Sequence, residues 1–151
     1  MTRLARPLRD DDDLDQLITS IADARVVMLG EATHGTAEFY DWRRRITRRL
    51  VIEHGFGFVA VEGDWPDAAR IDNWIRGAAG GASRAEARRL LSQLDRWPTW
   101  MWANEQVAEL VEWMARYNSG RPPFEQVRFH GLDVYSLYKS ISAVIQYLRC
   151  V

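Results

Sequence analysis

Apolar residues recur along this chain with two different periods, and the alternation between them predicts an α/β fold. Leu14, Leu17, Ile18 and Ile21 fall on one helical stripe directly after the acidic run Asp10–Asp13. Carboxylates in a first helical turn are favoured by the macrodipole, so the four aspartates read as a solvated helix start in preference to a metal-binding cluster. Val26–Leu29 is a short, continuous apolar run without alternation, the pattern of a strand covered on both faces of a parallel sheet. From about Thr36 to His54, Phe39, Trp42, Ile46, Leu50 and Val51 lie among many charges and the segment ends at Gly55, which predicts a helix with a glycine cap.

A second apolar run, Phe58–Val61, stops at Glu62-Gly63-Asp64. Pro66 suits a first helical position, and Ala68, Ala69, Ile71, Trp74 and Ile75 carry a helix to Gly77. Gly77–Ser83 reads as a flexible loop between helices, Ala85–Leu94 as helix, Trp97-Pro98-Thr99 as a break and Ala103–Tyr117 as helix again. After the turn-rich Asn118–Pro123, a third strand at Val127–His130 ends in Gly131-Leu132-Asp133. Leu137, Ile141, Val144, Ile145 and Leu148 then form a last amphipathic helix. The expected fold is a mostly parallel sheet flanked by helices, with right-handed crossovers and only three strands. Such a thin sheet is what an incomplete domain would show.

Composition narrows the partners. With 20 basic against 21 acidic residues and a net charge of -1, no global field draws the chain to nucleic acid or to an anionic membrane. No run approaches the length needed to span a bilayer. The single Cys150 cannot form an internal disulfide, which suits a reducing compartment, and a cytoplasmic location is expected. The arginines at 43, 44, 45, 48 and 49 read as a solvated helix face. Trp97, Trp100 and Trp102 could wall an apolar cleft, although packing in a core is the commoner fate of tryptophan.

Chemistry concentrates where the predicted strands end, the place where ligands bind in open α/β sheets. Glu31 and His34 follow the first strand, Glu62 and Asp64 the second, and Asp133 the third. A carboxylate, Glu31 or Glu62, bonded to one ring nitrogen of His34 would fix its tautomer and stabilise the cation formed on taking a proton, the wiring of a general base. Asp64 and Asp133 equally suit helix caps. Glu38 could support His34 or pair with an arginine, Arg43 could orient a carboxylate or steady an oxyanion, and His130 reads as a packed histidine. No phosphate loop, dinucleotide fingerprint or nucleophile elbow is present in the sequence, and no Ser or Cys stands in these motifs, which leaves activated water as nucleophile. A metal bound by His34, Glu31, Glu62 and Asp133 is the second option.

L-G-E-A-T-H-G-T-A-E-F at Leu29–Phe39, V-A-V-E-G-D-W at Val59–Trp65 and H-G-L-D-V-Y at His130–Tyr135 together resemble the erythromycin esterase family of macrolide-lactone hydrolases and their relatives. The resemblance implies an esterase fold with a deep cleft, water as nucleophile, a small ester or lactone substrate, and no metal or organic cofactor. By the same resemblance His34 matches the general base, Glu31 the motif acid, Arg43 an active-site arginine and Glu62 a position lining the cleft. Asp64, Asp133 and Glu38 are then candidate substrate contacts. Family members are longer and draw further active-site histidines from a C-terminal part, so the chain resembles the N-terminal portion of a single such domain. Incompleteness would weaken catalysis and expose an apolar face that favours self-association. A non-catalytic fragment or binding module and a metal-dependent hydrolase stay open as alternatives, and erythromycin itself is not assigned.

Overall fold

A computed structural model describes residues 7–78, 81–94, 99–133 and 137–150. Their contacts divide at Phe56/Gly57 into two compact units.

The first unit contains helices α1 (Asp15–Ile21) and α2 (Ala37–His54). A 3-10 turn at Asp12–Leu14 leads into α1 and buries Leu14 completely. Leu14 and Ile18 meet Ile46 and Leu50 of α2 in the apolar centre, with Ile21, Val27, Leu29, Trp42 and Phe56 packed around it. Gly55 ends α2 in the left-handed region at φ 68°, where a Cβ would be strained, and the Gly55 and Phe56 N–H groups both donate to the Leu50 carbonyl. That turn folds Phe56 back onto the centre. The predicted α2 and its glycine cap are therefore present.

The arginines of α2 form a network with acids. Arg45 reaches Asp11 at 2.9 Å and Asp41 at 2.7 Å, while Arg49 reaches Asp15 at 2.7 Å and Glu53 at 2.6 Å. Arg44 also pairs with Asp41. Burial opposes ionisation of Asp41, but the two guanidiniums outweigh it and hold its carboxyl below the usual range. Asp11 of the acidic run and Asp15 of α1 are thus tied to the basic face of α2.

Val26–Leu29 is not a strand. Val27 and Leu29 turn inward while Val26 and Met28 are 74% and 91% exposed, an alternation at odds with burial on both faces. An extended run becomes a strand only by pairing, and among the described residues it has no ladder partner.

The second unit holds β1 (Phe58–Asp64), α3 (Trp65–Gly77), α4 (Arg84–Leu91), α5 (Glu105–Asn118), β2 (Arg128–Asp133) and α6 (Leu137–Cys150). The strands run parallel, with Phe58 beside Arg128 and Val61 beside Gly131, and the register slips between Val61 and Asp64 before Asp64 meets Asp133. The fold is thus mixed α/β and rich in helix, with a parallel sheet of two strands among the described residues. Both strands run on through the segments expected to be turns, Glu62–Asp64 and Gly131–Asp133.

Helix α3 packs on β2 and α5, with Ala68, Ile71 and Ile75 buried on α3, Val111 and Met114 on α5 and Phe129 on β2. Pro66 occupies its first turn as expected. Ser83 caps α4 by accepting the Glu86 N–H and donating to the Glu86 carboxylate, while Asn104 caps α5 by accepting the Val107 N–H. Arg84 joins α4 to Glu105, Glu109 and Glu112 of α5. Two buried polar groups fix β2. Asn118 exchanges hydrogen bonds with both the N–H and the C=O of Val127 and donates to the Ile75 carbonyl. Asp72 accepts from the Phe129 N–H at 3.0 Å and from Arg128 Nε at 3.0 Å.

Gly131 lies so close to β1 that a Cβ there would stand 2.4 Å from the Gly63 carbonyl oxygen. Trp102 fastens the same segment by donating from Nε1 to the Glu62 carbonyl at 2.7 Å. Trp100 is half-exposed, and Trp97 lies outside the described residues. The stripe predicted for α6 is present but exposed, from 44% at Ile145 to 66% at Leu148.

Gly131→Ala should destabilise the second unit by about 2 kcal/mol, because the obstructing atoms are backbone and cannot rotate away. Gly77→Ala, whose Cβ would meet nothing within 4 Å, is the matched control in urea unfolding. Equal midpoints for the two variants would contradict the close approach. Burial raises the Asp72 carboxyl, but Arg128 and the Phe129 N–H overcome it and leave it below the usual carboxylate value. Its bonds are therefore at full strength above an ordinary pKa of about 4 and fade as pH falls through the lower folded value. Acid titration of stability should show a loss below pH ~4 that Asp72→Asn removes, with Asp72→Asn itself costing about 1–3 kcal/mol at neutral pH.

Candidate active site

The turn between the extended Val26–Gly30 segment and α2 is built to present one imidazole. Gly35 adopts φ 85°, a conformation that residues with a side chain rarely reach, and reverses the chain immediately after His34. Thr36 then starts α2 from the N-cap position, while the Thr33 hydroxyl donates to the His34 carbonyl. Within this turn the His34 ring swings back to Glu31, with Nδ1 2.5 Å from Oε1. The other Glu31 oxygen lies 2.8 Å from Nη2 of Arg43, one and a half turns into α2.

Exposure differs sharply across this trio. The Glu31 side chain is only 8% exposed and Arg43 19%, whereas His34 is 48% exposed. A carboxylate with little water around it is shared by two cationic or hydrogen-bonding partners, and the imidazole is the exposed member of the three. Of the two acids expected to serve His34, Glu31 takes the role in the structure.

A fourth member was not anticipated. Tyr40, 4% exposed, lies with its ring beneath the Arg43 guanidinium, 4.4 Å from ring centroid to Cζ. Burial raises the Tyr40 hydroxyl pKa and the Glu31 charge raises it further, against smaller opposing effects of Gly35 and Arg43, so the hydroxyl keeps its proton at neutral pH. The signal available in the sequence was the i, i+3 spacing of Tyr40 and Arg43, which puts both on one helical face.

Glu38 is exposed in the first turn of α2 and does not join the trio. The remaining candidates belong to the second unit. Glu62 is an exposed residue of β1. Asp64 is 8% exposed and sits at the N-cap of α3 without making a side-chain capping bond, so the capping reading fails for its carboxylate. Its register partner across the sheet is Asp133, so the carboxyl ends of β1 and β2 each carry an aspartate at the same level. His130 packs edge-on against Phe58 at 5.7 Å, in keeping with a structural histidine. Among the described residues no three His, Cys, Asp or Glu side chains converge as metal ligands would.

Comparison with known proteins places the chain. A family model described as erythromycin esterase matches residues 51–151. Erythromycin esterase type II of Escherichia coli is 29% identical over 132 residues, which is 87% of this chain and 29% of that protein. An alignment of that length necessarily takes in residues 31–43. Erythromycin esterase type I of Escherichia coli is 33% identical over 78 residues, covering 51% of this chain and 19% of the relative. Among solved structures, one described as a succinoglycan biosynthesis protein superposes with a TM-score of 0.73 at 29% identity, over 95% of this chain and 35% of its own. A Bacillus cereus protein superposes with a TM-score of 0.71 at 26% identity, over 96% of this chain and 33% of its own. The chain thus spans about a third or less of the length of each of these relatives. The family model covers two thirds of the chain, the sequence and fold likenesses agree with it, and the chain belongs to the erythromycin esterase family.

Proposed function

We propose that the chain contributes the general base of an ester or lactone hydrolase, with His34 as that base. The observation that carries this reading is the 2.5 Å contact between His34 Nδ1 and a Glu31 carboxylate whose other oxygen is held by Arg43. With Nδ1–H donating to Glu31, Nε2 bears the lone pair. It takes a proton from water as the oxygen attacks the ester carbonyl, and the tetrahedral intermediate collapses when the imidazolium returns that proton to the departing alkoxide. The products are one carboxylic acid and one alcohol, with no electrons gained or lost. Glu31 stabilises the transient imidazolium, and Arg43 keeps the carboxylate from turning away.

Glu62, Asp64 and Asp133 are proposed as polar contacts to a hydroxyl-rich substrate, a role supported by the position of all three at the carboxyl ends of the parallel strands. The names of the two Escherichia coli relatives support a macrolide lactone as one substrate class. Among the described residues no helix is long and apolar enough to cross a membrane, and a cytoplasmic hydrolase is the proposed setting. The chain is further proposed to be the N-terminal portion of a single esterase-like domain, a reading supported by the share of each relative that it covers.

A second reading, a binding module without catalysis, is supported by the exposed stripe of α6. It makes self-association through α6 the expected behaviour.

His34→Ala should reduce hydrolysis of macrolides and simple aryl esters by at least about 10²-fold while leaving the circular dichroism spectrum and unfolding midpoint unchanged. Turnover equal to that of the unsubstituted chain would end the role of His34. For the second reading, sedimentation velocity should show a concentration-dependent dimer that Val144→Lys disperses, and a monomer at every concentration would remove it.

A further inference from the structure

We propose that the hydroxyls of Thr33 and Thr36 are a positioning pair for His34, a directed relay that fixes the peptide following the imidazole. Its catalytic consequence rests on the hydrolase reading above; its geometry does not. The Thr33 hydroxyl lies 3.1 Å from the His34 carbonyl and 3.3 Å from the Thr36 hydroxyl. A carbonyl can only accept, so the single Thr33 proton goes to His34. The Thr36 hydroxyl must then donate to Thr33 Oγ1. The relay therefore runs one way, from Thr36 through Thr33 to the His34 carbonyl.

Thr36 occupies the N-cap of α2, where a threonine hydroxyl ordinarily accepts an N–H of the first turn. Here it makes no capping bond, and the Phe39 N–H donates instead to the Thr36 backbone carbonyl at 3.1 Å. The start of the helix thus leaves the Thr36 hydroxyl to the turn. The carbonyl that Thr33 holds belongs to the His34–Gly35 peptide, whose plane depends on ψ of His34 and φ of Gly35, and Gly35 stands at φ 85°. Glycine permits that reversal without imposing it, because it reaches positive φ about as readily as negative. The relay restrains the turn through its backbone, and the Nδ1–Oε1 contact with Glu31 restrains it through the ring. Thr33 is exposed and Thr36 half-buried, so their bonds compete with water and add little to global stability. What they select is a conformation of His34.

The test reads the tautomer of His34 in the 151-residue chain, using long-range proton–nitrogen spectra of its three imidazoles. In the unsubstituted chain His34 should be mainly the Nδ1–H tautomer that Glu31 favours. Thr33→Val, which keeps size and β-branching but removes the hydroxyl, should shift the population measurably towards Nε2–H with the unfolding midpoint unchanged. Thr33→Ser, which keeps the hydroxyl, should retain the preference. Thr36→Val should move it in the same direction as Thr33→Val but less, since Thr33 keeps its own bond to His34. Where turnover is measurable, Thr33→Val should lower kcat about tenfold with KM within about twofold. An unchanged tautomer population in Thr33→Val overturns the proposal, as does an equal shift in Thr33→Ser, which would trace the effect to packing. If Thr33→Val does not fold, an unchanged population in Thr36→Val overturns it instead. A tautomer shift in a chain whose esterase turnover is absent sustains the positioning role and sinks the hydrolase reading.

Discussion

A carboxylate withdrawn from water must be given partners, and the first unit of this protein is arranged around that requirement at Glu31. Glu31 sits at the end of an extended segment whose Val27 and Leu29 are anchored in the apolar centre, so its position is fixed from behind. Arg43 approaches from α2, whose own orientation is set by Ile46 and Leu50 in the same centre. His34 arrives from the turn between them, which Gly35 makes tight enough for the ring to fold back. Packing, backbone conformation and charge therefore converge on two oxygen atoms, and the place of the half-exposed imidazole follows from where those atoms are held.

The second unit solves a different problem, the close approach of two parallel strands at their carboxyl ends. Gly131 has no side chain because the Gly63–Asp64 peptide occupies the space where one would be. Trp102 holds the Glu62 carbonyl across the same irregularity, and Asp72 and Asn118 replace missing ladder partners along β2. These polar pins sit in an otherwise apolar layer of α3 and α5 side chains, and each satisfies backbone groups that would otherwise be buried without partners. Asp64 and Asp133 come together as a by-product of that register.

Helices were legible in the sequence because their signals are local. The 3.6-residue stripe of α2, the glycine that ends it and the proline that opens α3 each act over a few residues, and α3 and α5 fall where their stripes put them. Strands were less so. Phe58–Val61 and Val127–His130 read correctly as strand cores, but Glu62–Asp64 and Gly131–Asp133 looked like turns, since their glycines serve interstrand contact instead of chain reversal. Val26–Leu29 had strand composition without a partner to make it one. Within the candidate site, Glu31, His34 and Arg43 stood out by residue type and spacing. Tyr40 did not, because a buried tyrosine on a helix looks like core until its neighbours are known, and Asp72 and Asn118 were hidden because their partners lie far along the chain.

The pairing of Phe58 with Arg128 carries a consequence for how the molecule assembles. Among the described residues three α-helices intervene between β1 and β2, so the sheet closes a long loop whose entropy must be offset before any ladder bond forms. The α1–α2 contacts of the first unit span a far shorter stretch of chain and carry a smaller closure cost. During synthesis the turn that presents His34 can therefore reach its native shape while the strand bearing Asp133 has yet to leave the ribosome, and β1 must wait unpaired in the interval.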